Sequence, residues 1–225
     1  MDLETRAGRH AALGDPIRLA VAEALTRGDL SPAGLGASLG VRPNLLAHHL
    51  EVLEAAGLVR RTRSEGDGRR RYVSLVTEAA RDLGLDARPL GEPVLFVCTQ
   101  NSARSQIAAA LWRTATGGVA GSAGTEPASR VHPMAVAVAG EAGIDLTGAS
   151  PRHLDDAGGG WATVVTVCDR AHEALSEPTV HWSTPDPAPI GTRGAFVDAL
   201  TTLEKRVRAT GARSRTPWHF LPRPN

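Results

Sequence analysis

Pro93-Val-Leu-Phe-Val-Cys98-Thr-Gln-Asn-Ser-Ala-Arg104-Ser105-Gln-Ile-Ala-Ala-Ala-Leu-Trp112 is the stretch around which the second half of the chain is organised. Val94 to Val97 is a short apolar run bounded by Pro93 and by polar residues, the pattern of a strand buried on both faces of a parallel sheet. A helix is predicted from Ser105, with Ile107, Ala108, Leu111 and Trp112 forming an apolar stripe at helical spacing. Between the two lies a loop that holds Cys98 and Arg104 with five residues between them.

Strand, loop and helix N-terminus in this order make an anion cradle, because backbone N–H groups converge and the helix dipole adds partial positive charge. Thr99, Gln100, Asn101, Ser102, Ala103 and Arg104 make up the expected oxyanion-binding loop. The same donors and a nearby guanidinium favour a thiolate at Cys98. Arg104 supplies a planar fork for two oxygens of a tetrahedral oxyanion. Ser105 is expected to donate to the sulfur, and Asn101 to brace the loop from inside. Attack by sulfur on a bound oxyanion is the chemistry implied.

Further segments extend the pattern: Ser122-Ala-Gly-Thr125, His132-Pro133, Gly143-Ile-Asp145, Val164-Val-Thr-Val-Cys-Asp-Arg170 and His181-Trp-Ser-Thr-Pro-Asp-Pro187. Together with Cys98-x5-Arg104-Ser105 they resemble the low-molecular-weight protein tyrosine phosphatase superfamily, which includes thiol-linked arsenate reductases. The resemblance implies a three-layer α/β/α fold with a four-stranded parallel sheet. It also implies that Asp186 is the general acid that protonates the leaving oxygen. Phosphatases of the family usually follow this Asp-Pro with an aromatic residue, whereas Ala188 stands here, so a small inorganic oxyanion fits better than a bulky aromatic ester.

Cys168 admits two readings. In the phosphatases a Met commonly precedes this Asp-Arg, and in thioredoxin-linked reductases a Cys does, which makes Cys168 either a resolving thiol or a small buried residue. The reductases' third cysteine has no counterpart between Asp169 and Pro178. No tightly bound cofactor is expected. The reductant implied is thioredoxin, or a low-molecular-weight thiol with a glutaredoxin-like protein. The leading expectation is a thiol-linked arsenate reductase fused to a DNA-binding regulator, with a phosphoester phosphatase and a non-catalytic oxyanion-sensing repressor as the alternatives.

The remaining elements follow from periodicity and punctuation. Strands are expected over residues 118–124, 162–167 and 179–182, and helices from Pro133 to Gly143, over 170–175 and over 195–210. Strands alternating with helices place a ligand at the strand C-termini of an α/β sheet.

The first 81 residues read differently. A helix is predicted over residues 8–26, with Leu13, Ile17, Val21 and Leu25 apolar, and Ser31-Pro32 opens a second that Gly40 ends. Another, over 43–56, carries Leu46, Leu50 and Leu53 on its inner face and Asn44, Ala47, His48 and Glu51 on another. Two short helices joined through a glycine turn make a helix-turn-helix. A β-hairpin centred on Gly66-Asp-Gly68 follows, crowded with Arg60, Arg61, Arg63, Arg69, Arg70 and Arg71. Arg42, Asn44 and His48 are the candidate base and backbone readers, and Arg60, Arg61, Arg69, Arg70 and Arg71 the candidate phosphate contacts of a wing.

Leu13-Gly-Asp-Pro-Ile-Arg-Leu19, His49-Leu-Glu-Val-Leu-Glu-Ala-Ala-Gly-Leu-Val59 and the wing ending in Tyr72 resemble the ArsR family of winged-helix repressors over about residues 8–80. That resemblance implies DNA as a partner and a homodimer. Many such sensors ligate arsenite or a metal through cysteines, and this segment has none. The adjacent His48 and His49 point in different directions, so no metal site is expected.

A formal charge of +1 gives no global attraction to nucleic acid, so binding must come from a local patch. No run approaches a membrane span, no signal peptide is recognised, and two well-separated cysteines suit a reducing cytoplasm. The expected division is a winged helix-turn-helix over 1–81, a Gly/Pro-rich linker over 82–92, the phosphatase- or reductase-like domain over 93–210 and a tail over 211–225.

Overall fold

The computed structural model describes residues 2–176 and 179–211. The expected tail, apart from Gly211, lies outside the described residues. The chain divides into two compact units between Arg88 and Pro89.

In the first unit the order is α1 (Leu3–Leu13), α2 (Pro16–Ala24), α3 (Pro32–Leu39), α4 (Pro43–Ala55), β1 (Val59–Arg63), β2 (Arg71–Leu75) and α5 (Thr77–Arg81). The single helix expected over 8–26 is two helices. Pro16 has no N–H and forces Asp15 into the extended region (φ −108°, ψ 134°), and the Asp15 carboxylate then accepts from Ile17 N and Arg18 N to start α2. Apolar periodicity runs through the break because Leu13 and Ile17 both pack on the same core.

Ser31 caps α3 by accepting from Gly34 N at 3.0 Å, and Gly40 closes it with φ 65°, a conformation that a Cβ disfavours. Leu46, Leu50 and Leu53 of α4 are buried beside Val21, Leu25 and Leu35, while Asn44, Ala47, His48 and Glu51 are exposed. β1 and β2 pair antiparallel, with Val59 opposite Leu75 and Arg63 opposite Arg71. Leu83 and Leu85 pack against this same core, so the first part of the expected linker belongs to the first unit.

The second unit runs β3 (Val94–Cys98), α6 (Arg104–Thr116), β4 (Ala120–Gly124), α7 (Pro133–Glu141), a 3-10 turn (Asp155–Ala157), β5 (Thr163–Thr166), α8 (Asp169–Ala174), β6 (Val180–His181), α9 (Pro187–Ile190) and α10 (Arg193–Thr210). Its four strands are parallel in the order β4-β3-β5-β6. This is the fold expected of the family.

All five residues of the central strand β3 are buried, which explains its unbroken apolar sequence. Phe96 on that strand has Trp112 and Trp182 at 5.9 and 5.6 Å between ring centroids. Val97 pairs with both Ala123 and Thr166, so the C-terminal ends of β4, β3 and β5 lie in register. Cys98 and Cys168 therefore reach the same edge. The short α9, which periodicity did not announce, exists because Asp186 accepts from Ala188 N at 3.1 Å and Pro187 fills the first turn.

Candidate active site

Cys98 ends β3 beside Gly124 of β4, and the loop to α6 turns over that glycine. A Cβ on Gly124 would stand 2.6 Å from the Thr99 carbonyl oxygen and 3.0 Å from Asn101 N, so only glycine lets the loop lie this close. Thr99, Gln100 and Ser102 give their carbonyls to Glu126 N, Ala128 N and His132 N at 2.8, 2.9 and 2.8 Å. Since each carbonyl points opposite to the N–H of the next residue across a planar peptide, the N–H groups of Gln100, Asn101 and Ala103 face away from that second loop. One of them is seen at work: Asn101 N donates to Cys98 Sγ at 3.2 Å.

Asn101 adopts φ 48°, the one positive φ at a non-glycine position among the described residues. Its Nδ2 donates to Ser105 Oγ at 2.8 Å, and Ser105 Oγ lies 3.0 Å from Cys98 Sγ. The brace that the sequence placed at Asn101 is thus a chain of contacts ending on the sulfur. Gln106 joins it, its Nε2 lying 3.1 Å from Asn101 O, Asn101 Oδ1 and Ser150 O. Gln106 was not singled out from sequence, where it reads as an ordinary polar residue in a helix.

Arg104 opens α6 and is buried. Its Nη2 stands 2.7 Å from Asp186 Oδ2, and its Nη1 donates to Thr184 O at 2.9 Å. The structure thus brings together an arginine and a carboxylate that stand 82 residues apart in the chain. The loop carrying Asp186 is held from both ends, by Arg104 and by the start of α9.

Cys168 caps α8. Its sulfur accepts from Ala171 N at 3.4 Å and lies 3.4 Å from Thr99 Oγ1. Burial pushes this thiol above its ordinary pKa; Arg104 pulls it down, and Cys98 pushes it up. Both cysteines are free thiols. Next to Cys168, buried Asp169 meets His181 Nε2 at 3.0 Å, and His181 Nδ1 lies 3.0 Å from Thr166 Oγ1. This pair escaped sequence reading, because the two residues are 12 apart and join only when α8 folds back beside β6.

In the first unit, Arg42, Asn44 and His48 are exposed, as are Arg60, Arg63, Arg69, Arg70 and Arg71. Arg61 is different from its neighbours: its Nε donates to Glu54 Oε2 at 2.8 Å and its Nη2 reaches the same oxygen. That hydrogen bond holds the Glu54 carboxyl below its usual range. Arg61, expected on phosphate, is in this structure a tie between α4 and β1. His49, unlike the exposed His48, is buried. Among the described residues no group of three or more His, Cys, Asp or Glu is gathered to hold a metal, and no helix is long and apolar enough to cross a membrane.

The family model for low molecular weight phosphotyrosine protein phosphatase matches residues 93–212, more than half of the chain. The chain belongs to that family. A helix-turn-helix domain model matches residues 13–62, so the family domain is fused here to a helix-turn-helix unit. A glutaredoxin arsenate reductase from Synechocystis is 47% identical over 57 residues, which cover 24% of this chain and 43% of that protein. The chain thus spans less than half the length of this curated relative. Among solved structures, an arsenate reductase from Archaeoglobus fulgidus is 32% identical over 51% of this chain and 95% of its own, with a TM-score of 0.46. A protein tyrosine phosphatase is 25% identical over 51% of this chain and 90% of its own, with a TM-score of 0.45.

Proposed function

We propose that the chain is a DNA-binding transcriptional regulator whose second unit reduces arsenate to arsenite. One observation carries the reductase reading: a second thiol, Cys168, stands 3.4 Å from Thr99 of the oxyanion loop, at the sheet edge that also bears Cys98. Hydrolysis of a phosphoester has no use for it. The small Ala188 after Asp186-Pro187 supports an inorganic oxyanion over an aromatic ester.

Arsenate takes the place of the Asp186 carboxylate on Arg104, is held by the loop N–H groups, and passes its own proton to the displaced carboxylate. The Cys98 thiolate attacks arsenic; an As–S bond forms, an As–O bond breaks, and the leaving oxygen takes a proton from Asp186. Arsenic is still As(V). A second thiolate, from Cys168, then attacks Cys98 Sγ: the S–S bond forms, the S–As bond breaks, and its electron pair stays on arsenic, which leaves as arsenite. Two thiols have lost two electrons in all. Thioredoxin restores them, or a low-molecular-weight thiol takes the second attack and a glutaredoxin-like protein completes the cycle.

Mass spectrometry after exposure to arsenate tests the reading. A Cys98–Cys168 disulfide, or a mixed disulfide on Cys98 when a small thiol is supplied, is the expected product. Unchanged thiols with every reductant, alongside rapid phosphoester hydrolysis, would replace this reading with the phosphatase. That second reading is supported by the match of residues 93–212 to the family model for low molecular weight phosphotyrosine protein phosphatase, and it uses the same Cys98, Arg104 and Asp186 with water in place of the second thiol.

For the first unit, the exposed face of α4 enters a major groove and the arginine-rich wing rests on phosphates, in a homodimer. Arg60→Ala is expected to lower the salt dependence of DNA binding by about one phosphate contact. Arg61→Ala, already tied to Glu54, changes it less. Equal effects of the two substitutions would remove the wing as described. Since the first unit has no cysteine, the signal enters through oxyanion binding or thiol oxidation in the second, and operator binding indifferent to both would leave the two units functionally separate.

A further inference from the structure

We infer that Gln106 is a positioning residue for the nucleophile, setting the direction of the hydrogen bond that Ser105 gives to Cys98. The inference rests on the proposed role of Cys98, and it begins from a question of orientation. A serine hydroxyl has one hydrogen, and Ser105 Oγ has two neighbours, Asn101 Nδ2 at 2.8 Å and Cys98 Sγ at 3.0 Å. Which of them receives that hydrogen depends on which end of the Asn101 amide faces it.

Asn101 cannot be turned the other way. Its Oδ1 accepts from Arg152 N at 3.0 Å, and a backbone N–H only donates. It also meets Gln106 Nε2 at 3.1 Å. Gln106 is fixed in turn, because its Nε2 faces three carbonyl oxygens, those of Asn101 main chain, Asn101 side chain and Ser150. An oxygen in that place would meet only acceptors. With Asn101 held, its Nδ2 donates to Ser105 Oγ, and the Ser105 hydrogen is left for the sulfur.

Gln106 acts on the sulfur by a second route. It ties the Asn101 carbonyl on one side of the strained φ of 48°, while Ala128 N holds the Gln100 carbonyl on the other, so both peptides that flank this residue are fixed and the Asn101 N–H stays aimed at Cys98 Sγ at 3.2 Å. Cys98 thus receives two hydrogens, both oriented through Asn101, which Arg152 N and the buried Gln106 amide hold together; Gln106 itself contacts neither the sulfur nor the oxyanion loop's free N–H groups.

The test is alkylation of Cys98 by iodoacetamide across pH, followed by peptide mass spectrometry so that Cys98 and Cys168 are read apart. In Gln106→Leu, Cys98 alkylation at pH 7 should slow roughly fivefold, the size of one net hydrogen bond, and its pH profile should move upward. The same substitution in a Ser105→Ala background should slow it by less, since one of the two routes is already gone. A Gln106→Leu protein that melts cooperatively and keeps the parent's Cys98 profile would overturn the inference, as would full additivity with Ser105→Ala. Should the leucine variant not fold, Gln106→Ala leaves room for water against the three carbonyls and is judged by the same two criteria. Alkylation needs no substrate, so an altered profile in a protein that never reduces arsenate would sink the proposed function while leaving this inference in place.

Discussion

Two strand-to-helix turns stand side by side in the second unit, and each carries a cysteine. At the first, five residues separate Cys98 from α6; at the second, Cys168 is itself the cap of α8. The longer turn has room to curl its peptide N–H groups inward, and its sulfur is met at 3.2 Å by Asn101 N and at 3.0 Å by Ser105. The shorter one leaves its sulfur with two contacts of 3.4 Å, and burial dominates, pushing that thiol upward. Chain length between strand and helix thus decides which cysteine is furnished with donors for attack and which is kept in reserve as a thiol.

Removing the first cysteine should have the largest effect. Cys98→Ser is expected to lower arsenate consumption and phosphoester hydrolysis by at least about a thousandfold, since an alcohol at neutral pH replaces the nucleophile. Retained turnover would make the two turns equivalent and end the comparison. Asp186→Asn comes next, with turnover falling about a hundredfold as the proton donor is lost. Phosphate binding by the same variant should tighten, because the carboxylate no longer competes for Arg104 at 2.7 Å. Calorimetric titration with phosphate checks the second half, and weaker binding would argue against that competition.

Cys168→Ser sharpens the contrast between attack and reserve. The first turnover of arsenate should survive, while repeated turnover with a thioredoxin-type reductant should stop. Stability carries a second signature of the buried thiol. Its raised folded-state pKa means that the protonated thiol stabilises the fold below the ordinary value of 9.0, and that this contribution is lost as pH rises from there through the raised value. Thermal melts across this range should fall less steeply for Cys168→Ser than for the parent. Thr99→Val is the mildest change. Its hydroxyl pulls the Cys168 thiol down, so its removal should slow Cys168 alkylation, by less than about threefold given the 3.4 Å contact, and leave Cys98 alone.

Much of this was legible in the chain. The apolar run of β3, the six-residue reach from Cys98 to Arg104, the Pro-flanked Asp186, the Ser31-capped start of α3 and the proline that opens α4 each act through neighbours in sequence. Where the reading failed, a distant or competing group intervened. The helix expected over 8–26 broke at Asp15-Pro16, because a proline and a capping carboxylate outweighed an apolar stripe that continued across them. Arg61 looked like its exposed neighbours until α4 delivered Glu54 to it. The tie from Gln106 to Ser150 and the Asp169–His181 pair carry no local signature, since those partners lie far along the chain.

Taken alone, the sequence determined that a thiol and a guanidinium would share one anion cradle behind a buried strand, and that an arginine-rich hairpin would follow a helix-turn-helix. These follow from dihedral preferences, helix dipoles and spacing, which act over a few residues. Tertiary structure alone decided that Asp186 would lie on Arg104, that Cys168 would come up beside Thr99, and that Gln106 would reach Ser150. Those contacts depend on the register of parallel strands and the docking of loops upon it, and no window of sequence contains both partners.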